Sequence, residues 1–166
     1  GTYTPTAGVE DATNVLTLAT SYTDVAGNAG PSATTANFTI DTTAPTVGTF
    51  TMTDTALKSG ETSTVTIVFS EAVTGFSSDA DVTAQNGTLA AMTSEDNITW
   101  TGTYTPTAGV EDATNVLTLG TTWTDTAGNA YGGASTDTAN FTIDTKVPIV
   151  TSVTSSTLDG SYRADK

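Results

Sequence analysis

Apolar and polar residues alternate over three stretches of the chain, 47–52, 65–69 and 98–104. A two-residue period sends successive side chains to opposite faces of a strand, so each stretch predicts a strand with one buried and one solvated face. Shorter runs at 81–84, 88–92, 115–121 and 139–143 predict four more. Turn signals separate them, notably Lys58-Ser59-Gly60 and the hairpin dipeptide Asn86-Gly87. The stretches 106–112 and 125–133 read as loops. Seven short strands predict a β-sandwich. Its expected inward residues are Val65, Ile67, Phe69, Phe76, Val82, Leu89, Met92, Ile98, Trp100, Tyr104, Leu117, Leu119, Phe141 and Ile143. Thr makes up about one residue in four, and its stiff, β-branched side chain favours strands and leaves little sequence for helix.

The pattern repeats. Residues 1–18 (GTYTPTAGVEDATNVLTL) recur letter for letter at 102–119, and NFTID at 37–41 recurs at 140–144. Each copy ends in a Pro-containing linker, DTTAP at 41–45 and DTKVP at 144–148. The expected organisation is the rear half of one unit at 1–45, a complete unit at 46–148 and the opening of another at 149–166. A period near one hundred residues suits whole domains in tandem rather than a solenoid. The 1–45 segment lacks front strands, so it is expected to have unpaired edges.

Charge and missing residue types narrow the chemistry. With 18 acidic against 4 basic residues the net charge is -14, too negative to neutralise a phosphate backbone, so nucleic acid is excluded as a partner. The absence of Cys and His removes thiol nucleophiles, disulfides, imidazole bases and most zinc sites. No run approaches the roughly 18 apolar residues of a membrane span, so direct membrane insertion is not expected. Glycosidase chemistry needs two carboxylates facing one cleft. Loops and strands are duplicated together here, as befits a unit whose value lies in repetition, and no enzyme activity is expected.

The remaining candidate chemistry is oxygen ligation. DVAGN at 24–28 and DTAGN at 125–129 each place two oxygen donors, Asp24 with Asn28 and Asp125 with Asn129, around a turn glycine. Such spacing suits a hard cation such as calcium, although Asp and Asn also cap turns through their own backbone. Glu71 follows a strand abruptly, and Asp41 and Asp144 stand where a strand meets a linker. Strands that run pole to pole would bring Asp41, Glu71, Asp125 and Asn129 to one junction. The candidate metal ligands are therefore Asp41, Glu71, Asp125, Asn129, Asp24, Asn28 and Asp144. Trp100 and Trp123 read as core or loop anchors rather than a carbohydrate platform.

The succession DTTAP at 41–45, VTIVFSE at 65–71, Phe76, NGTL at 86–89, TYTP at 103–106 and DTAGN at 125–129 resembles the bacterial immunoglobulin-like repeats of giant surface adhesins. The resemblance implies an all-β, immunoglobulin-like Greek-key sandwich, repeated in tandem outside the cell, at the bacterial surface. It also implies a calcium ion at the junction held by Asp41, Glu71, Asp125 and Asn129, with Asp144 opening the next junction, where Lys146 departs from the pattern. The expected function is a non-catalytic spacer that supports adhesion or biofilm formation, with neighbouring repeats as its partners. The alternatives are a self-associating matrix or filament subunit, or a carbohydrate-binding accessory module.

Overall fold

A computed structural model describes residues 1–154. The expected third unit falls mostly on 155–166, including Leu158 to Tyr162, and that part lies outside the described residues. The N-terminal segment forms two antiparallel pairs. β1 (Glu10–Asn14) pairs with β4 (Phe38–Asp41), Glu10 opposite Asp41, and β2 (Thr17–Leu18) pairs with β3 (Ala33–Thr34).

The linker leads into β5 (Val47–Met52), β6 (Ala56–Lys58), β7 (Ser63–Phe69) and β8 (Val73–Thr74). A single helical turn, α1 (Ser78–Asp81), precedes β9 (Val82–Ala84), β10 (Gly87–Leu89) and β11 (Thr99–Pro106). The rear half follows with β12 (Glu111–Asn115), β13 (Leu117–Leu119), β14 (Thr124–Asp125), β15 (Thr136–Asp137) and β16 (Phe141–Asp144). One sheet has the order β10-β11-β7-β5, and the opposing strands form β12-β16-β6, β15-β13-β9 and the β14-β8 pair. All pairs are antiparallel except β6 with β16. This is an all-β domain with an Ig-like, Greek-key-like arrangement of sheets.

The chain changes sheets between β5 and β6. Asp54 turns it there: its backbone N–H donates to Ser63 Oγ at 2.9 Å, and its carboxylate accepts from the Ala56 N–H at 2.9 Å. Alternation along β7 buries Ser63, Val65, Ile67 and Phe69 while Thr64 faces out. Those side chains meet Leu57, Leu117, Leu119, Phe141 and Ile143 from the opposing strands. Aromatic contacts cross the core, Tyr104 edge-on to Phe141 with centroids 5.4 Å apart and Phe69 tilted on Trp123 at 4.4 Å; such geometries suit the ring quadrupoles.

The long alternating strands fall where the pattern predicts. Four strand-forming or core features differ. The expected loop at 106–112 ends earlier, because β12 begins at Glu111; its residues are mostly exposed, so no alternation marks it. β6, β8, β14 and β15 lie outside the expected strands and are too short to display a period. Phe50, Leu57 and Val73 join the core in addition to the expected residues, and Trp123, read as a core or loop anchor, is a core residue. Val82, Leu89 and Trp100 are half-buried against the core rather than inside it, and Ile98 stands outside it.

Candidate metal centre at the domain junction

The end of β4 meets one pole of the 46–148 unit through a braced linker. The Ser70 N–H donates to the Thr46 carbonyl at 2.9 Å and the Thr46 N–H to Ser70 Oγ at 2.9 Å, while Pro45 is buried. Upstream, Thr42 Oγ1 accepts from the Val9 N–H at 2.9 Å and donates to the Thr6 carbonyl at 2.8 Å. Both ends of the 42–46 segment are thereby tied to the strands and loops beside them.

This bracing brings three carboxylates together. One oxygen each from Asp41, Glu71 and Asp125 lies within 4.8 Å of the others, the one such group of acidic residues among the described residues. Asp41 is supplied by the last position of β4, Glu71 by the corner between β7 and β8, and Asp125 by β14. Asp125 is buried; Asp41 and Glu71 are half-buried. Asn129 completes the cluster. Its Nδ2 donates to Asp125 Oδ2 at 2.7 Å, to Asp41 Oδ1 at 3.3 Å and to the Asp41 carbonyl at 3.2 Å.

The electrostatics are divided. Burial raises the Glu71 carboxyl above its ordinary value, and the charges of Asp125, Asp41 and Glu10 push the same way. Burial also opposes ionisation of Asp125, but donation by the Asn129 side chain and backbone, then by Gly128 and Ala127, lowers it on balance. Both described lysines are in ion pairs elsewhere, Lys58 with Glu61 at 3.4 Å and Lys146 with Glu111 at 3.0 Å. Three oxygen donors thus converge beside an amide with no lysine among them.

The other candidate ligands stand apart from this group. Asp24 and Asn28 close their own exposed turn: Asp24 Oδ1 accepts from the Ala26 and Asn28 N–H groups and Oδ2 from Asn28 Nδ2 at 2.8 Å. Asp144 ends β16 and accepts weakly from the Lys146 N–H at 3.3 Å. Asn129 faces the carboxylates with its nitrogen rather than its oxygen. Sequence reasoning passed over Glu10, whose charge reaches Glu71 and whose register partner is Asp41; strand pairing between 10 and 41 was its missing signal. Trp123 is buried and stacks on Tyr131 with centroids 4.5 Å apart, while half-buried Trp100 makes a T-shaped contact with Phe76 at 4.9 Å.

The sheet order is that of an Ig-like module. Residues 41–143 match the model of a family described as bacterial Ig-like domain, and the chain belongs to that family. Comparison with curated proteins and with solved structures returned no match.

Proposed function

We propose that this chain is a non-catalytic spacer of a bacterial cell-surface adhesin, in which calcium bound by Asp41, Glu71 and Asp125 stiffens the junction between consecutive Ig-like units. Membership of the bacterial Ig-like family supports the setting, and the observation that carries the reading is the carboxylate group at the linker. All donors are oxygens, as a hard cation requires. Calcium sits about 2.3–2.6 Å from each ligand, so oxygens within 4.8 Å of one another fit around one ion. Glu71, raised by burial and by its acidic neighbours, is unfavourable as a bare anion there, and a cation reverses that. Asn129 either remains the clip between the two aspartates or rotates its amide to add an oxygen ligand. In this reading residues 1–45 are the rear half of a preceding repeat, and the linker passes stiffness from one repeat to the next, as adhesion or biofilm formation at a distance demands.

Calorimetric titration of the whole chain with calcium tests the proposal, with Glu71→Ala and Asp125→Ala alongside. Saturable binding that both variants lose, with a rise in melting temperature on adding calcium, is the expected result. Heat no larger than the dilution blank at millimolar calcium would overturn it.

A further inference from the structure

We infer that the side chain two residues after each strand-end aspartate selects the cation that the strand end takes: Thr43 leaves the Asp41 group open to a divalent ion, whereas Lys146 supplies an ammonium to Glu111 and Asp144 in its place. The inference rests on the calcium reading of the first junction and extends it to the segment after β16, which that reading does not reach.

The two strand ends are built alike, bond for bond. Glu10 is the register partner of Asp41, and Glu111 that of Asp144. Thr145 Oγ1 accepts from the Val110 N–H at 2.9 Å and donates to the Thr107 carbonyl at 2.7 Å, just as Thr42 Oγ1 does with Val9 and Thr6. The Thr42 and Thr145 N–H groups donate to the Val9 and Val110 carbonyls, both at 2.8 Å. Each aspartate then accepts from the N–H two residues on, Asp41 Oδ1 from Thr43 at 3.1 Å and Asp144 Oδ1 from Lys146 at 3.3 Å. Residues 43 and 146 therefore leave the backbone at the same point of the same corner, and their side chains differ.

That difference is a charge. Lys146 Nζ donates to Glu111 Oε2 at 3.0 Å. Hydrogen bonding to Glu111, then the charges of Glu111 and Asp144, raise the Lys146 amine above its ordinary value. The two side chains are 62% and 64% exposed, so the pair adds little to folding, and its consequence lies in the local field. Among the described residues no lysine pairs with Glu10; its charge instead adds to those of Asp125 and Asp41 on Glu71. An ammonium beside a divalent site repels the ion directly and cancels a carboxylate that would attract it. A hydroxyl at residue 43 does neither. The chain thus carries one strand end that answers to calcium and one whose charge is balanced from within.

The test exchanges the two side chains in the full chain. Thr43→Lys should weaken calcium binding in calorimetry about tenfold or more, while Thr43→Met, of similar length without the charge, should bind as the wild type does. Lys146→Thr is read with manganese(II), whose paramagnetic broadening of amide resonances marks where a divalent ion collects. The wild type should broaden around Asp41, Glu71 and Asp125 and stay sharp at Glu111 and Asp144; the variant should broaden at those two as well. Three results would each overturn the inference: calcium binding by Thr43→Lys as tight as the wild type's, equal losses in Thr43→Lys and Thr43→Met, or sharp Glu111 and Asp144 resonances in Lys146→Thr at millimolar manganese. A wild type that takes neither ion at Asp41 would overturn the calcium reading instead. Broadening at Glu111 and Asp144 confined to Lys146→Thr would then still uphold the role of the lysine, and its absence would overturn that too.

Discussion

Asn129 reaches back 88 residues to place its Nδ2 3.3 Å from Asp41 Oδ1, while the same nitrogen holds Asp125 Oδ2 at 2.7 Å. One amide therefore closes its own loop and ties that loop to the end of β4. The corresponding Asn28 does only the first, holding Asp24 Oδ2 at 2.8 Å. The difference comes from position: Asn129 sits where a linker arrives, and Asn28 sits at an exposed tip.

Asn129→Ala should uncouple the junction more than it destabilises the domain. Loss of hydrogen bonds to two carboxylates is expected to cost about 1–3 kcal/mol in denaturant unfolding. NMR relaxation should show the 1–45 segment reorienting more independently of 46–148. Relaxation identical to the wild type would show that the Thr46–Ser70 clamp alone holds the linker.

Glu71→Gln should have opposite effects with and without calcium. Glu71 is raised in the folded state, so its contribution to stability is complete below its ordinary value of 4.5 and is lost as pH rises through the raised value. In chelator, the variant should therefore melt higher than the wild type at pH 7, with the difference shrinking towards pH 4. In calcium the order should invert, because the variant lacks a ligand. Melting curves at several pH values, with chelator and with calcium, read both signs.

Trp123→Ala and Tyr22→Ala test the two copies at equivalent positions. Trp123 is buried under Phe69 and Tyr131, and its removal should cost about 3–5 kcal/mol. Tyr22 is exposed, with one hydrogen bond to the Pro31 carbonyl at 2.8 Å, and its removal should change unfolding by no more than about 0.5 kcal/mol. Urea denaturation of both variants makes the comparison.

Tyr104 should give an alkaline signature. Burial pushes its phenol up to about 12, so its contribution to stability is present below pH 10 and is lost as pH rises through that value. Its hydroxyl also donates to the Gln85 carbonyl at 2.5 Å. A late tyrosinate absorbance step that Tyr104→Phe removes is expected, with a loss of about 1 kcal/mol at neutral pH. Gly87→Ala should disturb the same spot, since a Cβ there would strike the Tyr104 ring and the Thr105 carbonyl, 2.6 Å away; overpacking of this kind costs about 1–3 kcal/mol.

Local pattern carried much of this molecule. The alternation through 65–69 and 98–104 placed β7 and β11, and the Asn86-Gly87 dipeptide placed the turn between β9 and β10, because strand faces and tight turns are properties of a few consecutive residues. The residues DTAGN, Glu71 and Asp41 were legible as oxygen donors near strand ends. What the sequence could not express was which copy is covered. Leu18 and Leu119 sit in the same local sequence, yet one is exposed and the other buried, because burial depends on strands far away in the chain. The same holds for the site: Asp41, Glu71 and Asp125 lie far apart in sequence and within 4.8 Å in space, while Glu10 entered through cross-strand pairing alone. Residue type and local period were set by neighbours along the chain; coverage, proximity and charge coupling were decided by the tertiary fold, since they depend on distances that only packing determines.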